Sequence, residues 1–419
     1  MQRKISILAG AAALAAASVS FAQDSVIKVG VVQPQSGECA QWGVPITRGV
    51  ELWAKEFNEA GGIKDASGNS HQIEVTGYDN ACYTAGEELT AFRRAILDDG
   101  VEFILQTFTP ASRKAIAPLA TENKVLTTSY GAGYLSADYA YLIGSVTGSP
   151  ASYMYLVSYL IEENPDIEKV AIVTADHSFG EAARAFYKAG IAPYTDRVEI
   201  VFSDPYDPAM AGDMFSIAGP IASSEPDLIV ELGFTPGQQA SFVETMQQLG
   251  YSGLFASEGW TMNFLTDRLK ADYLDGRIYS AYVVDASEQS FSPRVAQFYD
   301  AYVETYGQAE WSVFASVAYA AMTTIEAGIQ MAEEPTGEAV RAALFAEETV
   351  DNPLFGESRW AGSEIYGADT HLLTPLPVYV TDAEGNVTLD GIVDVGAWWQ
   401  ENAQAALTEL EAGGQVTAQ

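Results

Sequence analysis

Ser257-Glu258-Gly259 places one carboxylate directly after a strand-like apolar run, Gly253 to Ala256, with Trp260 and Phe264 close behind. A carboxylate stripped of water by aromatic neighbours is costly unless a cation pairs with it, so the segment reads either as a solvated loop acid or as half of a cation-binding site. The opposite chemistry is offered by Phe108-Thr109-Pro110-Ala111-Ser112. Here Thr109 or Ser112 can cap the helix that follows, and the free N–H groups of a helix N-terminus can hold an anion; a plain N-cap is the competing reading. Arg113 and Lys114 are assigned to the surface of that helix, which leaves backbone donors, with those of the Gly131-Ala132-Gly133 turn, to dominate the anion side. A carboxylate held at one end and an ammonium at the other describe an amino acid zwitterion.

Catalysis has little to work with. His71, His177 and His371 are the only imidazoles, and no G-x-S-x-G elbow, H-E-x-x-H pair or P-loop is present. Asp176-His177-Ser178 is contiguous, whereas triad members converge from separate loops. Gly131-Ala132-Gly133 is half of a dinucleotide fingerprint whose third glycine is replaced by Ser136, and it reads as a tight turn. Dispersed histidines exclude a transition-metal site, and Asp204, Asp207 and Asp213 lack calcium-loop spacing. No enzyme activity, cofactor or metal is expected.

The chain opens with Arg3 and Lys4, an apolar stretch from Ile5 to Val19, and Ser20-Phe21-Ala22 as a small-x-small cleavage site. This is the pattern of a secretory signal peptide cleaved near Ala22. Trp311 to Met331 is similarly apolar but is interrupted by Ser312, Ser316, Thr323, Thr324 and Glu326, so it reads as a buried helix. A formal net charge of −35 excludes nucleic acid as a partner, because phosphate contacts need cations this surface lacks. Cys39 and Cys82, the only cysteines, form an even pair in an exported chain and are expected to be disulfide-bonded.

The remaining sequence alternates strands and helices. Val26 to Gln33 is a β-branched run fit for a buried parallel strand, followed by an amphipathic helix with Val50, Trp53, Ala54 and Phe57 on one face. The alternation continues through Ser145 and begins afresh after Ala151, which makes two tandem α/β halves with parallel sheets. Late helices near Pro293 to Tyr306 and Trp311 to Glu333 fit neither series and can return to the first half. Ala403 to Gln419 is small and polar and reads as a fraying tail. Loops after the strands carry aromatics in six places, including Trp42, Phe108, Tyr130, Phe179 and Phe234. Each alone is ordinary packing; together they suggest an enclosed organic ligand at the strand ends.

Taken with SGECAQWG (Ser36 to Gly43), NEAGGIKD (Asn58 to Asp65), YDNAC (Tyr78 to Cys82), HSFGEAARA (His177 to Ala185), LGFTP (Leu232 to Pro236), SEG (Ser257 to Gly259) and FASVAYAAM (Phe314 to Met322), the mature chain resembles the periplasmic leucine/isoleucine/valine-binding protein family. The resemblance implies an α/β fold of two Rossmann-like lobes joined by a three-crossing hinge, the type I periplasmic binding fold. Lobe 1 would comprise 23–146 and 277–355, lobe 2 147–276 and 356–400, after a signal peptide at 1–22 and before a tail at 401–419. Glu258 matches the acid that holds a ligand ammonium. Trp42 matches a cleft aromatic, Phe179, Phe234 and Phe314 fall where cleft aromatics occur, and Thr109 to Ser112 with Gly131 to Gly133 match the loops that hold the carboxylate. Gly133 stands at a frequent hydroxyl position, Phe234 at a usual Tyr, Pro150 in place of a common acidic loop, and Cys39 has moved into the first loop.

The expectation is a monomeric, non-enzymatic periplasmic protein that captures a hydrophobic or branched-chain amino acid by lobe closure and delivers it to an ABC permease in the inner membrane. A rival ligand is an aromatic carboxylate or amide, for which Trp42, Phe108, Tyr130 and Phe234 would form a stacking box. A ligand sensor of the same fold is a third reading.

Overall fold

The computed structural model describes residues 26–417 apart from 83, 107–109, 130–134, 146–149, 258, 261 and 282–291, and only the backbone at 85, 110, 111, 129, 150 and 263. The chain starts with β1 (Val26–Gln33), α1 (Ala40–Glu59), β2 (Ile63–Lys64), β3 (Ser70–Asp79), α2 (Ala85–Arg93), β4 (Phe103–Gln106), α3 (Pro110–Asn123), β5 (Leu126–Ser129) and β6 (Leu142–Ser145). A second series follows: α4 (Pro150–Glu163), β7 (Lys169–Thr174), α5 (Ser178–Ile191), β8 (Glu199–Phe202), α6 (Met214–Ser223), β9 (Leu228–Leu232), α7 (Pro236–Gln248), β10 (Leu254–Ser257), α8 (Met262–Thr266), α9 (Ala271–Leu274) and β11 (Ile278–Ser280). Next come α10 (Pro293–Tyr306), α11 (Val313–Met331), α12 (Gly337–Leu344), β12 (Thr349–Asn352), β13 (Gly356–Ala361), α13 (Ser363–Tyr366) and β14 (His371–Leu373). The last elements are β15 (Leu376–Thr381), β16 (Val387–Val393) and α14 (Val395–Ala412).

Nine strands form the first sheet in the order β12-β13-β14-β6-β5-β4-β1-β3-β2, and seven form the second as β16-β15-β11-β10-β9-β7-β8. In each, the five strands of one series pair in parallel with the second strand outside the first: β3-β1-β4-β5-β6 and β8-β7-β9-β10-β11. The central strands are predominantly apolar, as burial on both faces demands; all of β4 (FILQ) and β9 (LIVEL) is buried, with Gln106 and Glu231 as the polar exceptions. This strand order reverses direction between β1 and β4 and between β7 and β9. At such a reversal adjacent loops diverge and leave a crevice at the carboxyl ends of the strands.

The chain passes between the sheets after Ser145, after Ala281 and at Thr374-Pro375, so the lobes share three crossings. Two expected boundaries move. β11 completes the second sheet, so that lobe runs past residue 277, and β13 and β14 add to the first sheet by pairing with β12 and β6, so 356–373 belongs to the first lobe. The expected fraying tail is corrected: α14 packs on α5, its Ala406 and Leu410 are buried, and Trp398 near its start stacks edge-on against Tyr155 of α4. Beyond it, the Thr417 N–H donates to the Ile365 carbonyl of the first lobe at 2.6 Å, and Thr417 Oγ1 lies 3.4 Å from Leu135 O.

The late helices do return to the first lobe. α11 is buried from Val313 to Ile329 and crosses α1 where Gly49 lies against the Ala315 carbonyl, a contact that a side chain at 49 would obstruct. Among the described residues no helix is long and apolar enough to cross a membrane. Arg294 spans this lobe's edge, donating to both Glu326 oxygens at 2.8 Å and to the Tyr319 hydroxyl at 2.7 Å, while Trp53 Nε1 donates to Glu326 at 3.2 Å.

Candidate functional site

The first-lobe wall is built by the turn after β1. Asp79, at the end of β3, accepts from Gln35 N at 3.0 Å, Ser36 Oγ at 2.6 Å and Ala81 N at 3.0 Å. Burial opposes its charge, but these donors hold the Asp79 carboxyl below its ordinary value. Cys39 and Cys82 are joined with Cα atoms 5.4 Å apart, so the turns after β1 and β3 move as one piece. Trp42 follows on the first turn of α1 and faces the second lobe with Ile46 and Phe314.

The second-lobe wall has its own local logic. Phe234-Thr235-Pro236 starts α7 with a capping box: Thr235 Oγ1 accepts from Gln238 N, Gln238 Oε1 accepts from Thr235 N, and Pro236 occupies the first turn. This cap aims Phe234 toward Tyr206, whose ring stacks on it at 4.4 Å and 16°. His177 Nδ1 accepts from Gly180 N at 3.0 Å and caps α5, which gives the imidazole a structural task, and burial lowers its pKa below the ordinary histidine value. Glu231 is wholly buried at the end of β9, accepting from Phe234 N at 3.1 Å and from Gln239 Nε2 at 3.0 Å.

Between these walls lies a cavity of about 410 Å³, well within the size range of small-molecule sites. Trp42, Phe179, Phe234 and Phe314, singled out by sequence, converge on it, together with Cys39 and Cys82. Ser112 does not line it; buried on α3, it donates to the Glu88 carboxylate. Phe108, Thr109, Tyr130, Gly131, Ala132, Gly133 and Glu258 lie outside the described residues. Arg113 was expected on the helix surface but is 2% exposed, because α3 turns that face into the lobe, while Lys114 is exposed. Sequence reasoning missed Tyr206, Gln239 and Glu231. The available signal was the acid within the apolar run Leu228-Ile229-Val230-Glu231-Leu232, where a charge has a purpose or a partner.

No lysine or arginine lines the cavity among the described residues, and no cluster there of histidine, cysteine, aspartate and glutamate could hold a metal ion. Two lobes, strand-order reversals facing each other, and an aromatic cavity between them define a two-lobed ligand-binding protein. Residues 26–386 match the model of the periplasmic binding protein family, and the chain belongs to that family. It is similar to the Leu/Ile/Val-binding protein of Escherichia coli K12, with 23% identity over 352 residues covering 83% of this chain and 90% of that one.

Among solved structures it resembles the branched-chain amino acid transporter substrate binding protein of Streptococcus pneumoniae in complex with isoleucine. The TM-score is 0.65 at 19% identity, covering 88% of this chain and 99% of that one. A solute binding protein of an R. palustris ABC transporter, in complex with benzoate, matches with a TM-score of 0.69 at 17% identity, covering 88% and 96% of the two chains. The shared architecture is the type I periplasmic binding fold, a fold of transport binding proteins.

Proposed function

We propose that this protein is the substrate-binding component of an ABC importer, exported by the leader at 1–22, and that as a monomer it captures an apolar amino acid between its lobes and hands it to an inner-membrane permease. The observation that carries this reading is the composition of the cavity wall: aromatics from both lobes, a carboxylate behind the second, and no basic side chain among the described residues. Such a wall suits a ligand with an apolar body and an ammonium, its carboxylate taken by backbone N–H groups near Thr109 and of the Gly131 to Gly133 turn. Glu258 is assigned the ammonium. Contacts from both lobes favour closure, and the permease reads the closed shape. A micromolar dissociation constant, about −8 kcal/mol, is within reach of one buried ion pair, several hydrogen bonds and aromatic enclosure.

The rival ligand, an aromatic carboxylate, is favoured by the Tyr206–Phe234 stack. Titration calorimetry with leucine, phenylalanine and benzoate, on the protein and on Glu258→Gln, separates the two. Loss of an ammonium partner lowers amino acid affinity by roughly 2–4 kcal/mol, whereas benzoate binding is unchanged or improved. Unchanged leucine and phenylalanine affinity in the Gln variant defeats the amino acid reading.

A further inference from the structure

Two buried polar atoms of the cavity wall have no partner among the described residues. Gln239 is 4% exposed and Tyr206 8%; both line the cavity, and neither Gln239 Oε1 nor the Tyr206 hydroxyl has a hydrogen-bond partner among the described residues. The Gln239 amide has one sensible orientation. Its Nε2 lies 3.0 Å from a Glu231 carboxylate oxygen, 3.2 Å from the Gly259 carbonyl and 3.3 Å from Ser257 Oγ. A carboxylate and a carbonyl only accept, so the NH₂ must face them and Oε1 must turn away.

Tyr206 is held independently. Its ring is pinned on Phe234, and its hydroxyl lies beside Gly233, where a Cβ would come within 3.1 Å of it. Burial, reinforced by Glu231, raises the phenol pKa well above its ordinary value, so the hydroxyl stays protonated and keeps its acceptor lone pairs. Buried polar atoms are normally paired, and a wall that leaves two of them unpaired is matched to a donor brought by the ligand. Glu231 decides which donor. It takes an N–H on each oxygen, from Phe234 and Gln239, which fixes the carboxylate behind the acceptor pair. An acceptor pair backed by a carboxylate group prefers a cationic N–H group over a neutral one.

We propose that Gln239 Oε1 and the Tyr206 hydroxyl, backed by Glu231, accept two hydrogen bonds from the ligand's primary ammonium and make the protein selective for primary over N-alkylated amino acids. The inference rests on the amino acid reading above and deepens it by naming residues that discriminate among amines. An ammonium carries three donors in a compact head. N-methylation removes one and adds a methyl group against the wall, and removal of the amine leaves both acceptors unpaired.

The test is calorimetry with leucine, N-methylleucine and 4-methylpentanoate on the wild type, Tyr206→Phe and Gln239→Met, beside thermal melts of each protein alone. The wild type should prefer leucine to N-methylleucine by tenfold or more. Tyr206→Phe should weaken leucine by about tenfold, narrow that preference and leave 4-methylpentanoate unaffected, with an unaltered melt. Gln239→Met should act in the same direction; because Gln239 also ties Ser257 and Gly259 together, Tyr206→Phe alone decides if the Met variant fails to fold. Wild-type leucine affinity and amine preference in Tyr206→Phe overturn the inference while leaving the amino acid reading intact. Binding of benzoate with no amino acid binding to the wild type overturns both.

Discussion

Glu38 Oε1 accepts a hydrogen bond from Gln238 Nε2 at 3.2 Å, joining the disulfide-anchored turn of the first lobe to the capped start of α7 in the second. Gln41 Oε1 accepts from Gly237 N at 3.4 Å on the same seam. These contacts exist only when the lobes approach, so they act on closure and not on folding of either lobe. Both are at the rim, where water competes and each contact contributes about 0.5–1 kcal/mol. Glu38→Ala should speed ligand dissociation by about two- to fivefold in stopped flow with the association rate almost unchanged. An unchanged dissociation rate would remove the seam from the closure mechanism.

The bond between Cys39 and Cys82 closes a loop over a separation of 43 residues. The chain-entropy model gives a stabilisation of about 4 kcal/mol for such a loop. The double serine variant should unfold at lower denaturant by up to that amount, and thiol labelling of denatured, non-reduced wild type should find no free cysteine. Two labelled thiols would refute the pairing in the exported protein.

Arg294→Met should destabilise the first lobe without altering the cavity. The substitution leaves the Glu326 carboxylate buried without its cation, a loss of about 3–5 kcal/mol for broken buried pairs. Desolvation already pushes the Glu326 carboxyl above its ordinary value despite the guanidinium beside it. Urea denaturation should show the loss, and adding Glu326→Leu should restore much of it. Full stability of the single variant would place the pair among those that contribute nothing.

Stability should fall as the medium is acidified through the range set by His371. The imidazole is 3% exposed beside the third crossing, packed edge-on to Tyr366, and burial pushes its pKa from 6.5 down to about 4. Above pH 6.5 it is neutral folded and unfolded; between 6.5 and 4 only the unfolded chain takes the proton, so stability drops by about 3 kcal/mol across that window. The slope of melting temperature against pH should flatten in His371→Gln. An equal slope in that variant would assign the acid sensitivity to other groups.

Much of the fold was legible because central parallel strands must be mostly apolar on both faces: Val26 to Gln33 and Leu228 to Leu232 declare themselves. Sheet membership of the late strands was not, since nothing within Gly356 to Ala361 says which sheet edge it will meet. Ala403 to Gln419 reads as a tail because Ala406 and Leu410 are diluted among polar and small residues, and only the packing of α14 on the second lobe gives them a purpose. In the site, large aromatics such as Trp42 and Phe234 advertise themselves by type and loop position. Gln239 does not, because a glutamine on an amphipathic helix looks identical whether it faces water or a buried carboxylate. Tyr206 sits in a loop whose destination depends on the crevice at the β7 and β9 ends.

The contact between Thr417 and Ile365 changes the mechanics of the hinge. The three crossings by themselves act as an axle about which rotation stays free. An attachment away from that axle, from the end of α14 on one lobe to α13 on the other, acts as a stay with a fixed length of chain between its ends. From Ala412 to Thr417 an extended segment reaches roughly 3.5 Å per residue, so opening proceeds until this segment is taut and then stops or unseats Thr417. The angle presented to an incoming ligand is therefore set by the slack in a few residues far from the cavity, and lengthening that segment should widen the open form while leaving every cavity contact in place.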